Sequence, residues 1–144
     1  MDGARLARYV PPMIRGSCLC GGVRYEVDGE LGPVALCHCG MCRKASGSAF
    51  ASNASVARDG FRLTRGAELV QRYESSPGNW RCFCRVCGSP VFSEKRDAPD
   101  TVRVRLGLFD DDPGVRPSYH WAVNFKAPWW TIHDDLPQLD EPGT

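Results

Sequence analysis

The chain has 144 residues, of which 42% are hydrophobic, and its 18 basic and 17 acidic side chains leave a formal net charge of +1. A chain of this length folds as one domain of ordinary size and buries enough surface for a core of its own. The balanced charge gives no electrostatic basis for binding to nucleic acid or to a membrane surface, so we predict neither as a partner.

The predicted elements are mostly short strands separated by turns, which is typical of an all-β domain. In chain order, strands are predicted over residues 22–27, 34–39, 61–64, 69–73 and 101–108. In the last of these, apolar residues alternate with Arg103 and Arg105, which predicts a half-buried strand with a charged outer face. One helical turn is predicted over residues 41–45, and Ser46 and Gly47 are expected to end it.

Residues 15–138 are predicted to form this domain, between an N-terminal tail over residues 1–14 and a polar C-terminal tail over residues 139–144. The first residues lack the apolar run of a signal peptide, and no stretch has the roughly 18 consecutive apolar residues of a membrane-spanning helix. We therefore expect a cytoplasmic protein whose thiols stay reduced. In that compartment the eight cysteines are expected to be metal ligands rather than disulfide partners.

The eight cysteines fall in three clusters with spacings typical of zinc ligands. A C-x-C or C-x-x-C segment turns the backbone so that two sulfurs reach one tetrahedral ion, and two such segments complete a structural site. The clusters are Cys18 and Cys20; Cys37, Cys39 and Cys42; and Cys82, Cys84 and Cys87. Spacing alone allows any two clusters to share an ion, and one zinc with spare thiols or a disulfide framework stays an alternative.

The most natural pairing gives a closed four-cysteine site, made of Cys18, Cys20, Cys84 and Cys87. It leaves Cys37, Cys39 and Cys42 as a set of three, and three protein ligands with an open fourth position are typical of a reactive zinc site. Cys82 is then left over, and we expect it to lie in the core as a small hydrophobic residue.

Several segments of the sequence resemble the motifs of one protein family. They are residues 16–25 (GSCLCGGVRY), residues 37–47 (CHCGMCRKASG), residues 83–90 (FCRVCGSP) and the late residues 120–121 (HW) and 126–129 (KAPW). In these segments the chain is similar to the glutathione-dependent formaldehyde-activating enzyme family, which also includes centromere protein V. The resemblance covers residues 15–138, and its three ordered cysteine motifs make it specific.

The resemblance implies a β-tent fold, in which antiparallel sheets are clamped by zinc, and two zinc ions per chain. A structural zinc is implied at Cys18, Cys20, Cys84 and Cys87. A catalytic zinc with an exchangeable fourth position is implied at Cys37, Cys39 and Cys42. The implied activity is that of a carbon–sulfur lyase, which joins glutathione and formaldehyde to S-hydroxymethylglutathione or cleaves that adduct. Cys82 and the N-terminal tail lie outside the family pattern.

A site made of three thiolates favours sulfur chemistry over hydrolysis. Three thiolates donate electron density to zinc and leave a weaker Lewis acid than three neutral histidines would. Such a soft site suits a fourth sulfur, and a coordinating thiol is deprotonated. We therefore predict a substrate thiolate that attacks an aldehyde carbon, with a small thiol such as glutathione and an aldehyde as the partners.

Other site residues are suggested by residue type only. His38, His120 and Lys44 are candidates to donate a proton or a hydrogen bond to the developing alkoxide. His38 lies between two predicted ligands and is expected to point away from the ion in a supporting role, whereas packed or surface positions are favoured for His120 and His133. Arg43 and Lys44 either meet a substrate carboxylate or form a solvated basic pair. A place in the core, rather than in a pocket wall, is the expectation for Trp129 and Trp130.

Two other functions stay open at this stage. In one, both zinc ions are structural and the chain is a non-catalytic module that binds a ligand or a partner. A fourth ligand supplied by Cys82 or His38 to the set of three cysteines would favour that function. In the other, the chain is a thiol-based sensor of metals or electrophiles, which needs a reactive and exposed cysteine.

Overall fold

The structure is a computed structural model that describes residues 13–142. Within that range it contains eleven strands and one α-helix, α1, over Gly40–Ser46. The first six strands are β1 (Met13–Ser17), β2 (Arg24–Asp28), β3 (Val34–Cys37), β4 (Ala51–Ala57), β5 (Phe61–Arg65) and β6 (Val70–Ser76). The other five are β7 (Asn79–Cys84), β8 (Pro90–Lys95), β9 (Thr101–Arg105), β10 (Tyr119–Trp121) and β11 (Gln138–Leu139).

The strands form two sheets. The smaller sheet has the order β1-β2-β5, and the larger has the order β11-β10-β3-β4-β9-β8-β7-β6. All pairs are antiparallel except those of β10, which runs parallel to both β3 and β11. Parallel neighbours need a long connection; residues 122–137 provide one between β10 and β11, and residues 38–118 separate β3 from β10. The predicted fold class, a small mainly β domain of antiparallel sheets, is confirmed, with this parallel edge as an addition.

The core lies between the two sheets. The smaller sheet contributes Ile14, Tyr25 and Val27, and the larger contributes Val102 and Val104, all nearly inaccessible to solvent. These side chains alternate with outward-facing residues along their strands, because successive side chains of a strand point to opposite faces. The two sheets therefore pack face to face through their apolar sides, and the opposite face of the larger sheet is left for polar residues.

The strand predicted over residues 101–108 is shorter than expected. β9 ends at Arg105, and Leu106–Leu108 form a 3₁₀ turn instead. Leu106 and Leu108 still pack partly against the core, so their apolar pattern reflects packing rather than an extended backbone. The helical turn predicted over residues 41–45 is confirmed within α1, which ends at Ser46 and is followed by Gly47 in the left-handed conformation with φ 67°.

A β-strand lies at each of the two predicted limits of the domain. Residues 1–12 of the predicted N-terminal tail lie outside the described residues, and β1 begins at Met13, with Ile14 buried. At the other end β11 extends to Leu139. The domain limits of 15 and 138 stay a prediction. Among residues 13–142, no helix has the length and hydrophobicity needed to cross a membrane.

Candidate functional site

The first cysteine group joins the two sheets. The sulfurs of Cys18, Cys20, Cys84 and Cys87 lie within 4.8 Å of one another. Cys18 Sγ lies 3.6 Å from Cys20 Sγ, and Cys20 Sγ lies 3.8 Å from Cys84 Sγ. Zinc–sulfur bonds of about 2.3 Å in a tetrahedron place the sulfurs roughly 3.8 Å apart, whereas a disulfide bond is about 2.05 Å long. The spacing therefore fits four ligands of one zinc ion.

Backbone N–H groups support the sulfurs at the end of β1. The Val23 N–H donates to Cys18 Sγ at 3.2 Å, and the Gly22 N–H donates to Cys20 Sγ at 3.4 Å. Donors aimed at sulfur favour the thiolate form, which is the form that binds metals. The local backbone is thus already arranged for two charged ligands.

The partner turn lies at the end of β7. The Gly88 N–H, on a residue with φ 80°, donates to the Cys84 carbonyl at 2.7 Å and closes the turn that holds Cys87. Hydrogen bonds from the hydroxyl and backbone of Ser89 lower the pKa of the Cys87 thiol to about 5. The same hydroxyl accepts from the Leu19 N–H at 2.9 Å, so it ties the two cysteine turns together.

Cys82 lies in the core, as predicted from the sequence. It is 1% exposed and belongs to the apolar cluster between the sheets. Burial raises the pKa of its thiol to about 12, so it stays protonated at neutral pH. Neither of the two cysteine groups includes it.

The second group contains only three cysteines. Cys37 ends β3, Cys39 precedes α1 and Cys42 lies in its first turn, and their sulfurs lie within 4.8 Å of one another. The Cys42 N–H donates to Cys39 Sγ at 3.3 Å. Within residues 13–142 no histidine, cysteine or carboxylate joins the group as a fourth member. In particular, neither Cys82 nor His38 takes the place that would have made a closed site.

The three sulfurs share a negative charge that calls for a nearby cation. Hydrogen bonds from Cys37 and Cys39, with the positive charge of Arg81, lower the pKa of Cys42 to about 2. The same sharing, with burial, raises the pKa of Cys37 far above its ordinary value. All three thiols therefore cannot ionise together unless a cation offsets their repulsion, and soft thiolates match zinc. The residues present fit a three-ligand zinc site.

A cavity of about 390 Å³ opens beside this group. Its wall includes all three cysteines, the aromatic side chains of Trp80 and Trp121, and a set of polar residues. The polar residues include Asn53, Arg81, Ser93, Arg103 and Arg105. Arg81 Nη2 lies 3.7 Å from Cys42 Sγ, so positive charge borders the sulfurs directly. A volume of this size is in the range of small-molecule sites.

His38 belongs to a buried hydrogen-bond chain behind the cysteines. His38 is fully buried, and its Nε2 lies 2.8 Å from His120 Nδ1, while His120 Nε2 lies 3.1 Å from the Asp134 carboxylate. If His120 donates to Asp134, its Nδ1 accepts from the His38 Nε2–H, and His38 Nδ1 carries only a lone pair. That assignment explains why His38 Nδ1 is buried without a hydrogen-bond partner in the described residues 13–142. Burial also lowers the pKa of His38, which favours this neutral form.

We expect His120→Ala to destabilise the protein by about 2–4 kcal/mol, since it removes a buried ring and leaves His38 Nε2 unpaired. Urea unfolding measures this loss. His133→Ala is the matched control, because His133 is exposed and its replacement should stay within about 0.5 kcal/mol. Equal effects of the two substitutions would contradict a supporting role for the His38–His120–Asp134 chain.

Several residues suggested by the sequence lie away from the cavity. Arg43 and Lys44 are on α1 but do not line it. Trp129 and Trp130 were expected in the core, and this is wrong: they are 66% and 38% exposed, in a segment without regular structure between β10 and β11. Of the tryptophans near the C-terminus, Trp121 on β10 lines the cavity instead.

The arginines of the cavity were missed as site residues. The sequence predicted that both arginines lie on a charged, solvated face of β9. In the structure Arg105 is 7% exposed and Arg103 is half-buried. Both arginines face the cavity, whose wall also contains residues of the neighbouring strands and the three cysteines. The alternation of Arg103 and Arg105 with apolar residues was the available signal, although it does not distinguish a solvated face from a cavity wall.

The fold and the two cysteine groups define a small mainly β protein with one four-cysteine and one three-cysteine group that fit metal ions. The family model described as glutathione-dependent formaldehyde-activating enzyme matches residues 13–124. The chain belongs to this family, which confirms the resemblance seen in its motifs.

Individual known proteins are also similar to this chain. A Halomonas elongata protein named "Putative glutathione-dependent formaldehyde-activating enzyme" is 32% identical over 129 residues, which cover 83% of this chain and 81% of that protein. A Schizosaccharomyces pombe protein named "Uncharacterized lyase" is 26% identical over 98 residues, which cover 68% and 69%. A crystal structure of a Rhodobacter sphaeroides protein is similar with a TM-score of 0.58 and 30% identity, covering 72% of this chain and 91% of that one.

Proposed function

We propose that the protein is a zinc-dependent carbon–sulfur lyase that forms or cleaves a thiol–aldehyde adduct, such as S-hydroxymethylglutathione from glutathione and formaldehyde. The observation that carries this proposal is the three-cysteine group in the wall of the cavity, with no fourth protein ligand among residues 13–142. Membership of a family named for glutathione and formaldehyde supports the same reaction.

In this proposal the two cysteine groups have different roles. Cys37, Cys39 and Cys42 would hold zinc at the reactive site. A structural zinc would be held by Cys18, Cys20, Cys84 and Cys87. Zinc bound by three thiolates supplies a soft acceptor for a substrate sulfur and favours the ionised form of that sulfur at neutral pH.

The side chains of the cavity would orient the reactants. The thiolate sulfur attacks the aldehyde carbon, the π electrons move to oxygen, and the oxygen takes up a proton from Lys95 or from water. In the reverse direction the C–S bond breaks and the carbonyl reforms. Arg81, next to Cys42, would stabilise the developing alkoxide by charge, since guanidinium groups stay protonated.

The three residues suggested as proton donors by residue type are not in the wall of the cavity. His38 and His120 are buried behind the cysteines and Lys44 is exposed on α1, and none of the three lines the cavity. Lys95 is the lysine in the wall, so it is the candidate side chain for proton donation.

The proposal predicts two zinc ions per chain and catalysed exchange between formaldehyde and its glutathione adduct. Exchange is measured by magnetisation transfer with isotope-labelled formaldehyde, because the adduct also forms without a catalyst. We expect an exchange rate that rises in proportion to the enzyme concentration and falls to the uncatalysed rate after chelation of the more accessible zinc. Cys82→Ala is the control that should keep both the zinc content and the rate.

Two outcomes would contradict the proposal. One is a protein with both zinc ions bound that leaves the exchange rate unchanged with glutathione and with simpler thiols. The other is two zinc ions that resist a mild chelator equally and are insensitive to glutathione. Either result would favour a module in which both metals are structural.

A further inference from the structure

Three arginines form one patch on the cavity side of the larger sheet. The strand register places Arg81 of β7 opposite Ser93 of β8, and Ser93 opposite Arg103 of β9. Arg105 is two residues further along β9 and so points to the same side. The alternate residues of β9, Val102 and Val104, are in the core on the opposite face. The sheet therefore brings the three arginines together from separate parts of the sequence.

These arginines have no carboxylate partner among residues 13–142. Two carboxylates line the cavity, those of Glu94 and Glu141, and neither forms an ion pair with the three arginines. Glu94 pairs with Arg58 at 2.6 Å and lies 3.7 Å from Arg72. Three guanidinium charges also exceed the single net negative charge of a zinc ion held by three thiolates. The patch keeps a positive surplus.

This excess positive charge is energetically unfavourable because the arginine patch is partly desolvated. Arg105 is 7% exposed, and within the described part of the chain it donates only long hydrogen bonds, to Ser93 Oγ at 3.4 Å and to the Arg103 carbonyl at 3.5 Å. Burial, together with the charges of Arg81 and Arg103, lowers the pKa of Arg105 to about 10. Buried charges are ordinarily paired, so the geometry leaves room for an anion supplied by a ligand.

An orphaned amide lies beside the patch. Asn53 of β4 is opposite Arg105 in the register, and its Oδ1 is buried without a hydrogen-bond partner among residues 13–142. It lines the same cavity. An unpaired acceptor next to a cationic patch suits a ligand that carries an N–H group together with a carboxylate.

We propose that Arg81, Arg103 and Arg105, with Asn53, form a carboxylate-binding subsite that selects peptide-like anionic thiols over neutral ones. The inference rests on the proposed function and names the residues that determine its specificity for the thiol. Guanidinium forks bind carboxylates through two parallel hydrogen bonds, so the subsite would hold the carboxyl end of the substrate while its sulfur lies at the three cysteines. Arg81 borders both regions.

The test compares charged and neutral ligands of matched shape. In the unmodified zinc-loaded protein, the diethyl ester of glutathione should support formaldehyde exchange at least roughly 10-fold less well than glutathione at subsaturating concentration, because it lacks both carboxylates. S-methylglutathione, which has no free thiol, measures binding without reaction. Its Kd should rise roughly 10- to 100-fold in Arg103→Gln and in Arg81→Gln. Arg116→Gln is the control, because Arg116 is exposed in a distant loop and pairs with Asp112.

The outcomes separate the subsite from the reaction. Equal rates with glutathione and its diester, together with an unchanged affinity of Arg103→Gln for S-methylglutathione, would overturn the subsite and leave the reaction standing. Absence of catalysed exchange with any thiol, while S-methylglutathione still binds through the arginines, would overturn the reaction and support the subsite. The ester comparison needs no variant, so it does not depend on the folding of any substituted chain.

Discussion

Replacing Cys84 by Ala is expected to abolish stable folding or to lower the Tm by at least about 15 °C, with loss of the zinc ion that we propose for its group. Cys84 is fully buried at the end of β7, and its group links the turn after β1 to the larger sheet. A structural zinc contributes about 10–16 kcal/mol of apparent binding energy in small domains, which rivals the 5–15 kcal/mol total stability of a typical protein. Thermal unfolding and metal analysis measure the change.

Cys82→Ala provides a closely matched control for this substitution. Cys82 lies two residues earlier on the same strand, faces the same core and is equally buried, but it belongs to neither cysteine group. Its replacement should cost only about 1–2 kcal/mol, which lowers the Tm by roughly 2–8 °C, and should keep both zinc ions. Similar Tm values and zinc contents for the two variants would contradict a structural metal at Cys84.

The cysteine groups could be predicted from the sequence because their geometry is mostly local. In the turns around Cys18 and Cys87, a few residues fix the positions of two sulfurs, and glycine permits the backbone to close. The predicted grouping agrees with the structure even though Cys20 and Cys84 are 64 residues apart. Their assignment as ligands remains a prediction until the metal is measured.

Other strands were not predicted from the sequence, because their composition lacks a clear apolar alternation. β4, with the sequence ASNASVA, is central in the larger sheet but carries small polar residues between its buried positions. β7 and β8 likewise mix polar and apolar residues, since one face of each borders the cavity. Hydrophobic alternation identifies a strand only where one face is apolar and the other is solvated, and this condition fails beside a polar cavity.

The arginine patch depends on contacts that no local pattern encodes. Arg81 and Arg103 are neighbours only because β8 lies between their strands with Ser93 in register. A shift of one residue in either pairing would turn one arginine into the core. Sheet register therefore determines which side chains line the cavity, whereas local turns bring the cysteines of each motif together. The two parts of the site are in contact where Arg81 lies next to Cys42.

Cys42→Ala is expected to reduce catalysed exchange by more than roughly 100-fold, since loss of a partner outside the ligand set alone costs about 10- to 100-fold at metal sites. The chain should nevertheless stay folded. Cys42 lies on the short helix α1 at the rim of the larger sheet, outside the core between the sheets, and its group contacts few apolar residues. Exchange measurements, zinc analysis and thermal unfolding on the same preparation test both statements.

The comparison of Cys42→Ala with Cys84→Ala decides whether the two cysteine groups have different roles. A large loss of rate with a small loss of Tm in Cys42→Ala, against the reverse order of effects in Cys84→Ala, is the expected result. Equal losses of Tm in both variants would mean that both groups hold the fold together. The cavity beside Cys42 would then be a binding surface next to a structural metal, and the positive patch formed by Arg81, Arg103 and Arg105 would have to be explained by a ligand that undergoes no reaction.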